Sequence, residues 1–212
     1  MIDPAPRRAW QRMLSGRRLD LIDPSPLDVE IGDIAHGLAR VARWNGQTRG
    51  PEIFSVAQHS LLVEALFGAA EASPPAGARL AALLHDAPEY VIGDMISPFK
   101  AAIGGDYKLI EARLQRAILI RFGLTAEPSD DLDRRIKIAD RRSAYLEATT
   151  LAGFSIAEAG KLFGEPDLPI HDFAAFLEPM RPADVETEFL TRFAELDAEA
   201  TGHDKPPPRG IA

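Results

Sequence analysis

Residues 76–89 read AGARLAALLHDAPE, and this stretch decides the class of fold. The segment Ala76–His85 is predicted to be a helix, and the residues just before its His-Asp pair are all apolar. Because Pro88 has no N–H to donate to the carbonyl of Leu84, the helix should end or kink near His85–Asp86. The stretch therefore predicts a helix that carries a histidine and an aspartate at its apolar end.

On both sides of this stretch, apolar residues recur at helical spacing. The further predicted helices are Ile31–Trp44, a helix opened by Ser55 with Gln58 in a capping box, Tyr107–Phe122, Ser129–Ala152 and Ala183–Ala200. Gly123 and Gly153 follow two of these helices at the place of a C-terminal stop. Since no alternating pattern is long enough to predict a strand, the expected fold is all-α.

The two ends of the chain differ from the middle in composition. Residues 1–29 contain four prolines and scattered charges, which predict an extended N-terminal arm with at most one short helix, Arg7–Leu14. Residues 30–200 form the predicted helical domain. Residues 201–212 include three consecutive prolines and are expected to be a disordered tail.

Length, charge and cysteine content exclude several classes of function. The 212 residues suit one domain with a sizeable core. A formal net charge of -8 and a pI of about 5.2 argue against a nucleic-acid polymer as the partner. The chain has no cysteine, which excludes disulfides, thiolate metal sites and a cysteine nucleophile. No apolar run approaches a membrane span and no apolar leader precedes the arm, so a cytoplasmic protein is expected.

Two histidines and two aspartates suggest a metal site. His59 lies on the helix before the His85–Asp86 pair, and Asp140 lies on a later helix. Each would be costly to bury alone, whereas one shared cation compensates them together. This mixture of nitrogen and oxygen ligands suits Mn, Fe, Co, Ni or Zn. A cation with open coordination positions activates water and polarises phosphoryl oxygens, so the pattern predicts a metal-dependent hydrolase. For a single helical histidine such as His36, an ordinary core position is the simpler interpretation.

The chain resembles the HD-domain superfamily of metal-dependent phosphohydrolases, and within it the YfbR-like 5'-deoxynucleotidases. The resemblance covers about residues 30–150. The motifs that carry it are Arg43-Trp44, Ser55-Val56-Ala57-Gln58-His59-Ser60, His85-Asp86-Ala87-Pro88-Glu89, Gly93-Asp94, Ser97-Pro98, Lys100, Ile136-Lys137-Ile138-Ala139-Asp140 and Tyr145-Leu146.

The resemblance implies an HD-domain helical bundle that forms a homodimer. It also implies hydrolysis of a small phosphorylated metabolite, a nucleoside or deoxynucleoside 5'-monophosphate. It implies that His59, His85, Asp86 and Asp140 bind one divalent ion, with Mn, Co, Ni, Fe, Zn and Mg as candidates. No histidine occurs between Asp86 and Asp140. Relatives with two metals would need extra imidazoles there, so a mononuclear centre is expected.

The same resemblance assigns roles to residues around the metal. Arg43 would hold the phosphate, for which a guanidinium is well shaped, Trp44 would pack against the sugar, and Lys100 would contact the substrate. Glu89 would take a proton from the attacking water, and Asp94 would serve the leaving oxygen or the sugar. Each residue also has a structural interpretation. Trp44 could be a core tryptophan, Arg43 an exposed helix charge and Lys100 a solvated lysine. Glu89 and Asp94 could be capping carboxylates.

Two other functions remain open at the level of sequence. A phosphodiesterase or pyrophosphohydrolase of the same superfamily would need more basic residues to hold the extra phosphates, for which Lys100 and Lys108 are candidates between His59 and Asp140. A non-catalytic nucleotide- or metal-binding regulatory module would tend to lose Glu89 or a ligand, and this chain retains them all.

Overall fold

The structure, a computed structural model, describes residues 9–70, 73–96, 99, 106–167 and 170–202. Helices account for most of these residues, which confirms the predicted all-α class. Within the described ranges, no helix has both the length and the apolar character of a membrane-spanning segment.

Eight α-helices can be numbered in the described part of the chain, together with three short 3-10 helices and one hairpin. The α-helices are α1 (Ile31–Leu38), α2 (Val56–Ala69), α3 (Ala76–Leu83), α4 (Glu89–Ile92), α5 (Asp106–Arg121), α6 (Asp130–Thr150), α7 (Ile156–Phe163) and α8 (Pro182–Thr201). The 3-10 helices are Pro26–Asp28, Arg43–Gly46 and Ile170–Leu177, and the hairpin strands are β1 (Trp10–Arg12) and β2 (Arg18–Asp20).

Helix α2 lies at the centre of the molecule and is buried on nearly every side. Such a helix is stable only when other elements surround it, and here α3, α6 and α8 all pack against it. Leu61 faces a first core formed mainly with α1, α3, α5 and α8. Leu62, Val63 and Leu66 face a second core formed with α3, α6, α7 and the 3-10 helix after it. Polar side chains on α2 are therefore enclosed by protein.

The N-terminus of α2 confirms half of the predicted capping box. The Ser55 hydroxyl accepts a hydrogen bond from the Gln58 backbone N–H at 3.3 Å. The Gln58 side chain does not return the bond, because its amide donates to the carbonyl of Glu178 at 2.8 Å and accepts from the N–H of Met180 at 2.9 Å. Gln58 thus ties α2 to the segment that precedes α8.

The prediction of one helix from Ile31 to Trp44 is wrong, because α1 ends at Leu38. The chain then turns outward, and Ala42 forms an isolated antiparallel bridge with Ser55. This bridge holds the following segment against the start of α2, an arrangement that the local apolar spacing could not reveal. Arg43 and Trp44 consequently belong to a separate short turn that faces α2 and α6.

The sequence predicts an extended N-terminal arm with at most one short helix, Arg7–Leu14, and the described part of that range contains no helix. Trp10–Arg12 instead forms a strand paired antiparallel with Arg18–Asp20. The hairpin places Leu19, which is fully buried, in the first core. Burial of a side chain from the second strand therefore outweighs the weak local preference for a helix.

The remaining helices agree with the predicted ranges to within about two residues, a margin typical of helix ends. Gly123 and Gly153 both have positive φ, as expected for C-terminal stops. The sequence pattern did not predict α7 or the 3-10 helix Ile170–Leu177. Residues 203–212, which hold most of the predicted disordered tail, lie outside the described residues.

Candidate metal centre

The structure brings the four predicted metal ligands together. His59 Nε2 lies 3.3 Å from His85 Nε2, 3.3 Å from an Asp86 carboxylate oxygen and 3.4 Å from an Asp140 carboxylate oxygen. His85 Nε2 is also 3.3 Å from Asp86. The ligands come from α2, from the turn between α3 and α4, and from α6, so the packing of separate helices assembles the site.

These spacings fit a shared metal ion. Two ligands each about 2.1 Å from one ion, at octahedral to tetrahedral angles, lie about 3.0–3.4 Å apart. Ligand atoms of His59, His85 and Asp140 all fall within 4.8 Å of one another. Buried histidine on one side and partly exposed carboxylates on the other suit a cation that is reached from solvent. These residues could therefore hold a metal ion.

Both imidazoles are oriented with Nε2 toward the shared centre. The Nδ1 of His59 is 2.5 Å from a carboxylate oxygen of Glu147. The Nδ1 of His85 is 2.9 Å from the carbonyl of Ala82, in the last turn of α3. Because a carbonyl or carboxylate accepts from Nδ1–H, the other nitrogen keeps its lone pair for a metal.

Arg43 lies beside the centre and is mostly buried, with 14% of its side chain exposed. Its backbone N–H donates to the carbonyl of Phe54 at 2.8 Å. Its guanidinium donates from Nη1 to Asp94 at 3.1 Å and from Nε to Glu147 at 3.3 Å. Within the described part of the chain, Nη2 has no acceptor. These contacts hold Arg43 in place, and its Nη2 can still donate a hydrogen bond to another group.

Glu89 and Asp94 lie near Arg43. Glu89 begins α4 and is 2% exposed. Burial by itself would lower the pKa of the Arg43 guanidinium, but Glu147, Asp94, Asp86 and Glu89 outweigh that effect and raise the pKa above its usual value. The arginine therefore stays charged among these carboxylates. The catalytic roles of Glu89 and Asp94 stay predictions.

Trp44 occupies an unusual backbone conformation next to Arg43. Its φ is 57° and that of Asn45 is 51°, both in the left-handed region that most side chains avoid. The Trp44 indole N–H donates to Glu147 at 2.8 Å. The indole ring packs at centroid distances of 5.6 Å from Phe154 and 6.0 Å from Phe163. Trp44 therefore has packing partners, and its predicted contact with a sugar remains a prediction.

Two lysines, Lys100 and Lys137, belong to the motifs that carry the family resemblance. Lys100 lies outside the described residues. Lys137, which is largely exposed, donates to Asp140 at 2.5 Å, one turn away on α6. Among the residues that the structure describes, Lys137 and Arg43 are the lysine and arginine side chains that contact a site carboxylate directly.

Carboxylates dominate the electrostatics of the site. Burial raises the pKa of Asp86, but the neighbouring histidines His85 and His59 outweigh it and lower that pKa well below its usual value. In the metal-free site Asp140 follows the same logic, with hydrogen bonding from the protonated Nε2 of His59 as the main opposing effect; a bound metal would take the place of that proton. Both aspartates are therefore ionised at neutral pH. Ionised, partly buried carboxylates of this kind are compensated efficiently by a divalent cation.

Glu147 is the site residue to which sequence reasoning assigned no role. It lies seven residues after Asp140 and four after Ser143, on the buried side of α6, and is fully buried. Burial raises the pKa of Glu147, yet Arg43 and His59 outweigh it and lower the pKa to about 2. A glutamate on an otherwise apolar helical stripe was the available signal, because such a carboxylate needs partners.

Comparison with known proteins identifies a relative whose name states no activity. No family model matches the chain. The chain is 59% identical over 199 residues to an uncharacterized protein of Rhodobacter capsulatus, and the match covers 92% of this chain and all of that protein.

Proposed function

The chain belongs to the same family as the Rhodobacter capsulatus protein, and we propose that it is a metal-dependent phosphohydrolase of the HD-domain type. Its substrate would be a phosphomonoester, with a nucleoside 5'-monophosphate as the first candidate. The observation that carries the proposal is the convergence of His59, His85, Asp86 and Asp140 at 3.3–3.4 Å. When bound, a divalent cation supplies Lewis acidity and lowers the pKa of coordinated water.

The residues around this centre have the chemistry that hydrolysis needs. Arg43 binds the phosphate through Nη2 and stabilises the negative charge that grows on the phosphoryl oxygens. Glu89 accepts a proton from the attacking water, and that proton passes by way of Asp94 or solvent to the leaving oxygen. Asp94 and Glu147 hold the guanidinium in place at 3.1 and 3.3 Å. Fixed donors of this kind favour a transition state because they need no rearrangement during the reaction.

A phosphate-release assay tests the proposal. Protein loaded with Mn²⁺ or Co²⁺ is expected to release phosphate from a panel of nucleoside 5'-monophosphates, and cyclic nucleotides and nucleoside diphosphates in the same panel identify a phosphodiesterase or pyrophosphohydrolase. His85→Ala should lose metal and turnover together, since it removes a ligand. His36→Ala is the matched control, because His36 pairs with Glu186 at 3.3 Å and is not a ligand.

Three results would contradict the proposal. Metal-loaded protein that hydrolyses no phosphomonoester would exclude the proposed reaction. Tight nucleotide binding without turnover would favour the regulatory module instead. Full metal content in the His85→Ala protein would overturn the ligand assignment itself.

A further inference from the structure

Glu147 accepts hydrogen bonds from four side chains, and its two oxygens divide them between two parts of the site. One oxygen, Oε1, lies 2.5 Å from His59 Nδ1 and accepts from the Ser143 hydroxyl at 2.7 Å. The other, Oε2, accepts from Trp44 Nε1 at 2.8 Å and from Arg43 Nε at 3.3 Å. One carboxylate therefore contacts a metal ligand on one side and the Arg43–Trp44 turn on the other.

The contact with His59 determines which imidazole nitrogen faces the metal. A carboxylate at Nδ1 keeps the proton there and directs the lone pair of Nε2 toward the other ligands. His59 is fully buried, so no solvent molecule replaces this partner from outside. Carboxylates behind a metal-binding histidine orient the ring and raise the basicity of the ligand.

The contact with the Arg43–Trp44 turn supports a strained piece of backbone. Trp44 and Asn45 have φ of 57° and 51°, values that persist only where surrounding contacts hold them. The bond from the indole N–H to Oε2 is one such contact, and packing on Phe154 and Phe163 is another. Because Arg43 precedes this turn and also reaches Oε2, its direction depends on the same carboxylate.

We propose that Glu147 is a positioning residue that joins the metal centre to the substrate-binding turn. It orients His59 for the metal through one oxygen and fixes Arg43 and Trp44 through the other. The substrate half of this inference rests on the proposed phosphohydrolase function, whereas the metal half can be tested without turnover.

The test compares the Co²⁺ affinity of Glu147→Gln with that of Glu64→Gln. Each metal-free protein is titrated with Co²⁺, and binding is measured by calorimetry and by the absorption of bound Co²⁺. Loss of a partner behind a metal ligand typically weakens metal affinity about 10–100-fold, and we expect this range for Glu147→Gln. Glu64 is the matched control because it is also a buried glutamate. It lies on α2 and bonds to Arg192 and Arg79 instead of to a proposed metal ligand. Glu64→Gln should bind Co²⁺ like the wild type.

A second pair of variants tests the two oxygens of Glu147 separately. It also shows whether an effect of Glu147→Gln comes from a loss of folding. Glu147→Asp keeps the carboxylate charge but is one methylene shorter, so it should fold and still lose Co²⁺ affinity. Trp44→Phe removes the indole N–H that donates to Oε2 but keeps a six-membered aromatic ring. It should raise KM for the phosphomonoester while leaving Co²⁺ affinity within twofold of the wild type.

The outcomes distinguish this inference from the proposed function. Wild-type affinity for Co²⁺ in both Glu147→Gln and Glu147→Asp would overturn the positioning role while the metal centre stands. Equal loss of Co²⁺ affinity in Glu64→Gln would overturn it too, because the effect would then be one of general stability. Failure of the wild-type protein to bind Co²⁺ would reject the proposed metal centre itself, and the positioning role with it.

Discussion

Trp44 shows how much of the site depends on a single residue. A tryptophan in the left-handed region costs of order 1–3 kcal/mol, and its surroundings must offset that cost. The indole is anchored at one end by the buried Glu147 and along its face by Phe154 and Phe163. The left-handed turn also solves a geometric problem, because adjacent residues on a regular helix would point about 100° apart. Here Arg43 and Trp44 both reach the same carboxylate.

Replacing Trp44 by alanine tests its predicted role toward the sugar. If the indole faces the ribose, a 2'-hydroxyl meets apolar surface and loses its hydrogen-bond partner, which costs roughly 1–3 kcal/mol. Trp44→Ala should then narrow the deoxy-to-ribo ratio of kcat/KM by about tenfold to hundredfold. Trp44→Phe, which retains a ring, should largely keep the ratio. An unchanged ratio in the alanine variant would make Trp44 a packing residue only.

Replacing Glu89 by glutamine tests its proposed role as the proton acceptor. The amide keeps the shape of the side chain but cannot take up a proton, so turnover should fall about 10²–10⁴-fold. Co²⁺ affinity should remain that of the wild type, since Glu89 is not a proposed ligand. Parallel measurement of kcat and of Co²⁺ binding checks both parts. A variant with at least half the parental turnover would show that Glu89 only begins α4.

At the scale of elements, α1 and α4 approach each other closely near the site. A Cβ atom on Gly37 would lie 2.8 Å from Tyr90 Cβ and 2.9 Å from the Tyr90 carbonyl oxygen. The two helices can therefore touch only because residue 37 has no side chain. Since α4 begins with Glu89, this contact also sets where the proposed proton acceptor lies.

Gly37→Ala should therefore affect both stability and activity. Overpacking of this kind typically costs about 1–3 kcal/mol of the free energy of unfolding, measured by urea denaturation. Displacement of α4 should also lower turnover. Gly77→Ala is the matched control, because the added Cβ would meet only Leu124 at 3.7 Å. The control should be neutral or stabilise the protein by up to about 1 kcal/mol. Similar stabilities for both variants would refute the close-packing explanation.

At the scale of the whole molecule, the proposed metal joins three separate parts of the fold. The ligands come from α2, the α3–α4 turn and α6, so a cation that binds only the native state stabilises their packing. At a metal concentration of 100 times Kd, the gain is about 2.7 kcal/mol. For a protein of this size that corresponds to a rise in Tm of roughly 5–10 °C.

Calorimetric scans with Co²⁺ and with a chelator measure this rise. His85→Ala should show no metal-dependent shift, which separates specific binding from a general effect of salt. Identical Tm values for the wild type in Co²⁺ and in chelator would argue against a metal that bridges the three elements.

The sequence by itself determined the helical class, most helix bounds and the residues that form the candidate metal centre. These features are local, because helical periodicity and a His-Asp pair at an apolar helix end are encoded within a few residues. Only the tertiary structure decided the hairpin at Trp10–Asp20, the end of α1 at Leu38 and the role of Glu147. Glu147 meets His59 across 88 residues of chain. Such a contact depends on how α2 and α6 pack, and the free energy of that packing is spread over both cores, beyond the reach of any local pattern.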